Sequence, residues 1–407
     1  MRVILTMIIE RPNEITQIKN LNKWTLLYGR RKTGKTFLVT NFVKYDEYFF
    51  VKSNKNILSK DNQSILYETF IEILRRTLEN NKTVVVDEFH RLDTDFFEFL
   101  HAIKKQGKLI LISSTLFLST KLISSRSPLL GLFAEIPISL INLKDCLKAL
   151  EPYPFSNREK LELAIILKEP ITAEYFAATK RARETLAEVI LGSIKTIPAL
   201  IGEVFSEEER TLSAIYEGIL RAIAMGNVGS GEISSYLFSK KLIKKDDPSI
   251  IQQYLNNLVL FGIIKKMEVF NKKRFIYKLY SPLSRMYFYA DEKYNIAERK
   301  ITEKELLPII DELMPRMVED SVREFLAEKY GLRESIAEAK DFEIDGCLLK
   351  FKKPEIVLEV KWKKIDKQEV IRIEENLRRI DAPEKIIFVQ DKKQVHSSMK
   401  VMDPTDL

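Results

Sequence analysis

Over the first 140 residues, short runs of β-branched and aromatic residues alternate with stretches whose apolar positions recur every three or four residues. Strands are predicted at Thr25–Tyr28, 48–51, Thr83–Asp87, 109–113 and 133–138. Helical spacing fills the gaps, notably at 64–78 and 95–105, and also before the first strand, where Ile15, Ile18 and Leu21 follow the turn-like Arg11-Pro12. Strands alternating with helices in this way mark a parallel sheet wrapped by helices. From about 143 to 192 the strand signal disappears and several short helices are expected, as in a lid placed after the sheet.

The texture changes again at about 207. Segments 215–224 and 232–238 read as helices. Asp247-Pro248 supplies a cap and a first-turn proline for a third helix that runs to Leu260. That helix is expected to turn Ile251, Tyr254, Leu255 and Leu258 inward and Gln252, Gln253, Asn256 and Asn257 outward. Two short strands follow, 263–270 and 274–279, joined by Asn271-Lys272-Lys273. Three helices and a hairpin in this order suggest a winged helix. Beyond a charged connector, a helix at 314–330, strands at 335–339, 342–351 and 355–362, a helix at 366–380 and a strand at 385–390 give the order αβββαβ. The chain is therefore expected to comprise a helix-wrapped parallel-sheet core (1–142), a helical lid (143–206), a winged helix (207–290), a linker (291–304) and a C-terminal α/β domain (305–407).

A length of 407 residues suits two or three such domains. The chain carries 66 Lys and Arg against 58 Asp and Glu, a net charge of +8, which permits nucleic-acid contact without requiring it. Its two cysteines, Cys146 and Cys347, are too far apart for a zinc or redox motif, so a reducing compartment is expected. The apolar stretch 3–9 is too short to span a bilayer and has no cleavage pattern. No other membrane candidate was expected, and the location implied is cytoplasmic.

The chemistry is concentrated in two places. Gly29-Arg30-Arg31-Lys32-Thr33-Gly34-Lys35-Thr36 is a complete GxxxxGKT motif lying between a strand and a helix, which is the context that loop requires. Its glycines allow backbone N–H groups to face a phosphate, and the helix N-terminus adds positive potential. Lys35 is then expected to reach the β- and γ-phosphates of a nucleoside triphosphate, and the Thr36 hydroxyl to coordinate Mg²⁺. The strand Val84-Val85-Val86 delivers Asp87 to the same metal and leaves Glu88 as the general base for water. Ser114 or Thr115, at the end of the next strand, either orients that water or caps the following turn.

The second place is C-terminal. Ile344-Asp345-Gly346 followed by Glu359-Val360-Lys361 has the form of a PD-(D/E)xK core, in which Glu359 and Lys361 share one face of a strand. Two carboxylates could hold Mg²⁺ there while Lys361 orients or deprotonates a water. The same spacing also suits an alternating strand with a salt-bridged polar face. Lys240, Lys241, Lys244, Lys245, Lys272, Lys273 and Arg274 surround the candidate recognition helix and are candidates for phosphate contact or for plain solvated surface. Tyr287-Phe288-Tyr289 reads as packing between domains.

Taken together, the glycine-rich loop, Asp87-Glu88, Ser113-Ser114 and the entry segment Arg11-Pro12-Asn13-Glu14 resemble the archaeal AAA+-related ATPases of the additional-strand class, close to the STAND and MCM-related NTPases. The resemblance implies a P-loop NTPase fold with a helical lid, then a winged helix, then a restriction-endonuclease-like α/β domain with Glu319 as a fourth site member. It implies ATP and Mg²⁺ as cofactors, DNA as a partner, a protein partner or second copy as a further one, and no membrane. Two positions depart from the family pattern. Leu132 follows Ser127-Pro128-Leu129-Leu130-Gly131 where the family has arginine, leaving Arg126 as a substitute finger and weakening the case for a ring. Lys168-Glu169-Pro170-Ile171 stands where a Gly-x-Pro segment is usual. The alternative function is an ATP-dependent switch or scaffold for protein partners without nuclease action.

Overall fold

The computed structural model describes residues 7–21, 23–116, 131–177, 181–207 and 211–407. Helix α1 (Pro12–Asn20) leads into strand β1 (Thr25–Tyr28), helix α2 (Lys35–Phe42), strands β2 (Glu47–Val51), β3 (Ile57–Leu58) and β4 (Ser64–Ile65), and helix α3 (Tyr67–Glu79). Then come β5 (Thr83–Asp87), α4 (Thr94–Ala102), β6 (Lys108–Ser113) and β7 (Ala134–Pro137). These strands form one sheet in the order β4-β3-β2-β5-β6-β1-β7. β2, β5, β6, β1 and β7 are parallel, so β6 lies between β1 and β5.

Because both faces of this sheet are covered at its centre, β1, β5 and β6 are almost continuously buried and apolar rather than alternating. Phe49, Phe70, Val84, Val86, Phe96 and Leu111 fill one side, and Leu27, Leu38, Val85, Ile110 and Ile136 fill the other. The expectation of a helix over 64–78 needs correcting. Ser64 and Ile65 are extended in the small antiparallel edge formed with β3, and α3 starts at Tyr67.

Four helices follow the sheet: α5 (Leu143–Leu150), α6 (Asn157–Leu167), α7 (Ala182–Ser193) and α8 (Ile197–Glu207). Ser156 and Glu159 close a capping box at the start of α6. The run Ala182–Ser206 is long and apolar enough to cross a membrane, a candidate that the sequence reading passed over; half of it is buried within the structure, as core helices of globular proteins are. Next come α9 (Ala214–Ala224), α10 (Ser230–Ser239), α11 (Gln252–Leu260), and the antiparallel pair β8 (Ile264–Val269) and β9 (Phe275–Leu279).

The segment read as a connector begins inside a helix, α12 (Pro282–Tyr294), which buries Tyr287, Phe288 and Tyr289. Helix α13 (Glu303–Tyr330) starts eleven residues earlier than predicted, at a Thr302–Glu305 capping box, and contains Pro308 and Pro315. The rest comprises β10 (Ser335–Glu338), β11 (Glu343–Ile344), β12 (Gly346–Lys350), β13 (Lys353–Lys361), α14 (Lys367–Arg378), β14 (Glu384–Val389) and β15 (Lys400–Met402). Two differences from the expected αβββαβ order stand out. The predicted strand 342–351 breaks at Asp345 into β11 and β12. β10 pairs in parallel with β8 and antiparallel with β11, forming the sheet β11-β10-β8-β9. β12-β13-β14-β15 form a separate sheet, joined to the β10 segment through the Arg333–Leu349 bridge.

One apolar core takes in Met7 and Ile9 and then runs from Ile141 to Met402. It joins the four helices after the first sheet, the α9–α11 unit and the C-terminal sheet. Two smaller apolar clusters lie beside it, one around Cys347, Val357 and Ile387 and one formed by Met267, Val269, Ile276 and Ile336.

Candidate functional site

The glycine-rich loop is shaped by its backbone. A Cβ at Gly29 would stand 2.0 Å from the Ile138 carbonyl oxygen, so only glycine fits beside β7. Gly34, with φ of 85°, turns the chain into α2, whose start has no side-chain cap among the described residues. Arg11 clasps the loop from outside: its guanidinium donates to the Thr33 and Ser139 carbonyls at 3.1 Å each and to Glu14 at 2.7 Å.

Inside the loop, Lys35 is buried and donates to the carbonyls of Gly29 (2.9 Å) and Arg30 (2.8 Å). Burial lowers its pKa to about 8, against the pull of Glu88 and Asp87. A cation in such a setting gains much from an anionic ligand. Thr36 donates to Asp87 Oδ2 at 2.7 Å, and the Tyr48 hydroxyl donates to the same oxygen at 2.8 Å. Burial raises the Asp87 pKa despite both bonds. The other oxygen, Oδ1, is buried with no hydrogen-bond partner. An orphaned carboxylate oxygen beside a hydroxyl suits a hard divalent cation with oxygen ligands, so these residues fit Mg²⁺.

Glu88 lies just past β5 in the left-handed region, with φ of 57°. Its Oε2 accepts from Ser114 Oγ at 2.7 Å and from the Ser114 amide at 3.3 Å. Of the two candidate hydroxyls, Ser114 meets Glu88; Thr115 bonds Ser113 Oγ at 2.9 Å instead. Ser113 also faces His90 Nδ1 at 3.1 Å. Arg126 lies outside the described residues.

Three participants have contacts that the sequence does not announce. Tyr48 lies on β2 in register with Val85, a position with no motif around it. Arg11 reads in the sequence only as part of a turn and of the entry segment that carries the resemblance. Glu169 accepts two bonds from the Arg30 guanidinium, at 2.7 and 2.8 Å, with both side chains almost fully buried. Lys168-Glu169-Pro170 thus meets the loop by charge, while Pro170 packs near Gly34.

At the C-terminal end, Asp345 sits at the β11–β12 break and accepts from the Val360 amide at 2.8 Å. Lys361 Nζ bonds Glu359 Oε1 at 2.6 Å, and Glu359 Oε2 is buried without a partner. Burial and the neighbouring Asp345 push the Glu319 pKa up to about 8 and that of Glu359 up to about 7. Lys361 opposes both shifts. Among the described residues, however, no group of three or more His, Cys, Asp or Glu side chains is arranged to hold a metal ion.

The basic residues expected around a groove are partly engaged. Lys272 and Arg274 both bond Glu338 of β10, at 2.8 and 2.9 Å, and Lys240 bonds Glu292 at 2.5 Å. On α11, Asn257 turns inward to the Tyr216 hydroxyl at 2.6 Å rather than outward, leaving Gln253 and Asn256 exposed.

A parallel sheet with β6 inserted between β1 and β5, a GxxxxGKT loop and an acidic β5 end together form a P-loop nucleotide-binding fold. Residues 21–140 match the family model described as AAA domain. The Walker-type ATPase PABY2304 of Pyrococcus abyssi is similar in fold: 18% identity, TM-score 0.51, covering 69% of this chain and 96% of that one. The ORC2 protein of Aeropyrum pernix aligns over 76% of this chain and 91% of its own at 12% identity and TM-score 0.37. The uncharacterized protein MJECL04 of Methanocaldococcus jannaschii is 23% identical over 296 residues, which cover 64% of this chain and 62% of that protein.

Proposed function

We propose that this chain is a magnesium-dependent ATPase whose nucleotide state acts on a DNA-handling body made of a winged helix (207–290) and a nuclease-like domain (305–407). The observation that carries the ATPase reading is the pairing of Thr36 with Asp87 beside an unpartnered Asp87 oxygen, at the mouth of a loop holding a buried lysine. Thr36 and Asp87 would hold Mg²⁺, which when bound neutralises charge building up on the phosphates. Lys35 exchanges two carbonyl partners for phosphate oxygens. The loop amides from Gly29 to Thr36 orient the triphosphate. Glu88 accepts the proton of the attacking water at its carboxylate, which Ser114 steadies through its hydroxyl.

Arg30 and Glu169 tie that loop to the helices behind it, so a change in the loop is felt by the DNA-handling body. The α9–α11 unit and the β8–β9 hairpin have the order of a winged helix. The raised carboxyl pKa values of Glu319 and Glu359 around Asp345 and Lys361 support a cation or phosphodiester site. A second reading, an ATP-controlled switch or scaffold without cleavage, is supported by the Lys361–Glu359 bond and by the lack of a three-ligand metal group among the described residues.

The deciding experiment combines calorimetry with Mg·ATP and a turnover assay. Lys35→Ala is expected to abolish binding, and Glu88→Gln to keep binding while losing turnover by at least about a hundredfold. Equal turnover in wild type and Glu88→Gln would remove the hydrolytic role. Incubating plasmid with Mn²⁺ and ATP separates the two readings: nicking lost in Asp345→Ala and Lys361→Ala supports cleavage, and intact plasmid supports the switch.

A further inference from the structure

Strands β12 and β13 are joined by the two-residue turn Phe351-Lys352, with Lys350 and Lys353 paired directly across it. Three features of this tip disfavour it within the folded chain. Phe351 is 89% exposed, more than any other large apolar side chain described. Its φ is 58°, a left-handed conformation that hairpins of this length normally give to Gly, Asn or Asp. In the β8–β9 turn, by contrast, the left-handed position is filled by Asn271. Lys350 and Lys353 are like charges in directly opposed positions, which destabilises a hairpin. Lys350, Lys352 and Lys353 are all exposed, and among the described residues none of them has an ion-pair partner.

Strain and exposed apolar surface at one point suggest a partner that repays both. We propose that Lys350, Phe351, Lys352 and Lys353 form a nucleic-acid contact in which Phe351 stacks on an unpaired base and the lysines neutralise the flanking phosphates. This deepens the nucleic-acid part of the function proposed above and rests on it. The chemistry favours a single strand, since a base inside a duplex already has both faces stacked and only an unpaired one offers a free face. It disfavours a bilayer, because one phenyl ring with a few lysines falls short of the two signals that stable anchoring takes. Position agrees as well: β13 runs from Lys353 at the tip to Glu359 and Lys361 at the acidic cluster. That separation is about 20 Å of strand, or about six stacked nucleotides.

The test uses the full chain and a 20-nucleotide oligonucleotide of DNA or RNA carrying one 2-aminopurine, read by anisotropy and by quenching of the base. Phe351→Ala is expected to weaken binding roughly 5- to 150-fold and to abolish the quenching. Changing the three lysines to alanine should flatten the log–log salt slope by about 2. Phe351→Gly relieves the left-handed strain, so its melting temperature should equal or exceed wild type while binding falls. Wild-type binding and quenching that persist in Phe351→Ala would overturn the proposal while leaving nucleic-acid handling by the rest of the molecule intact. No binding by wild type would overturn both. Cosedimentation with vesicles of phosphatidylcholine and phosphatidylserine that depends on Phe351, without oligonucleotide binding, would assign the tip to a membrane and overturn it too.

Discussion

Asp87 is held from two sides, by Thr36 and by Tyr48, and both bonds fall on the same oxygen. That geometry fixes the carboxylate and leaves its other oxygen for a cation. Removing the phenol hydroxyl by Tyr48→Phe should cost about 1 kcal/mol of this ordering. The Mg²⁺ concentration for half-maximal ATP turnover should then rise several-fold, while metal-free nucleotide affinity stays unchanged; titrating Mg²⁺ at fixed ATP checks it. Nothing around Tyr48 in the sequence announces this role, because the bond depends on which strand lies beside β5. Lys35, Thr36 and Asp87 were legible because each is fixed by a local pattern, a loop between strand and helix or an apolar run ending in acid. Ser114 and Thr115 were not separable until backbone direction beyond β6 was known.

At the scale of elements, long strands buried on both faces and strongly periodic helices were legible, and short or exchanged ones were not. β3 and β4 have two residues each, too few to show any period. Asp345 interrupts a run that looks continuous, because its carboxylate captures the Val360 amide and its carbonyl accepts from Arg323 at 2.7 Å. The partner of β10 could not be read from its residues at all, since alternation predicts a strand but not its neighbour. The Arg30–Glu169 pair is the main charged link between the glycine-rich loop and the helices that follow the sheet. Glu169→Ala leaves the guanidinium buried and uncompensated, with an expected cost of roughly 3–5 kcal/mol. Denaturant unfolding measures that loss, and faster hydrogen exchange across 157–175 would place it.

Across the whole molecule, buried charges form a continuous chain behind the first sheet. Lys168 meets Glu324 at 2.9 Å, Lys265 meets Glu324 at 3.5 Å and Glu334 at 2.9 Å, and Arg323 meets Glu334 at 3.2 Å. Asp320 then joins Arg323, Lys278 and Arg285. Burial opposes the charge on Glu324, but Lys168 and Lys265 outweigh it and bring its pKa down to about 2. A carboxylate whose folded pKa is depressed stabilises the fold above its unfolded pKa and loses that contribution as pH falls toward the folded value. The window here runs from about pH 4.5 down to about 2. The contribution at neutral pH is at most about 3 kcal/mol, reduced by the side chain's 22% exposure. Glu324→Gln should therefore lower stability at pH 7 and flatten the acid limb of stability against pH; parallel curves for the two proteins would show that the site contributes nothing.

The strand exchange has a practical corollary. β8 finds one neighbour in β9 and its other in β10, some seventy residues further along the chain. A shortened protein ending near residue 300 would leave the backbone of β8 unpaired along that edge, an invitation to aggregate. Recombination that swaps either half alone would meet the same penalty, so the hairpin and the region that supplies its third strand should be inherited together.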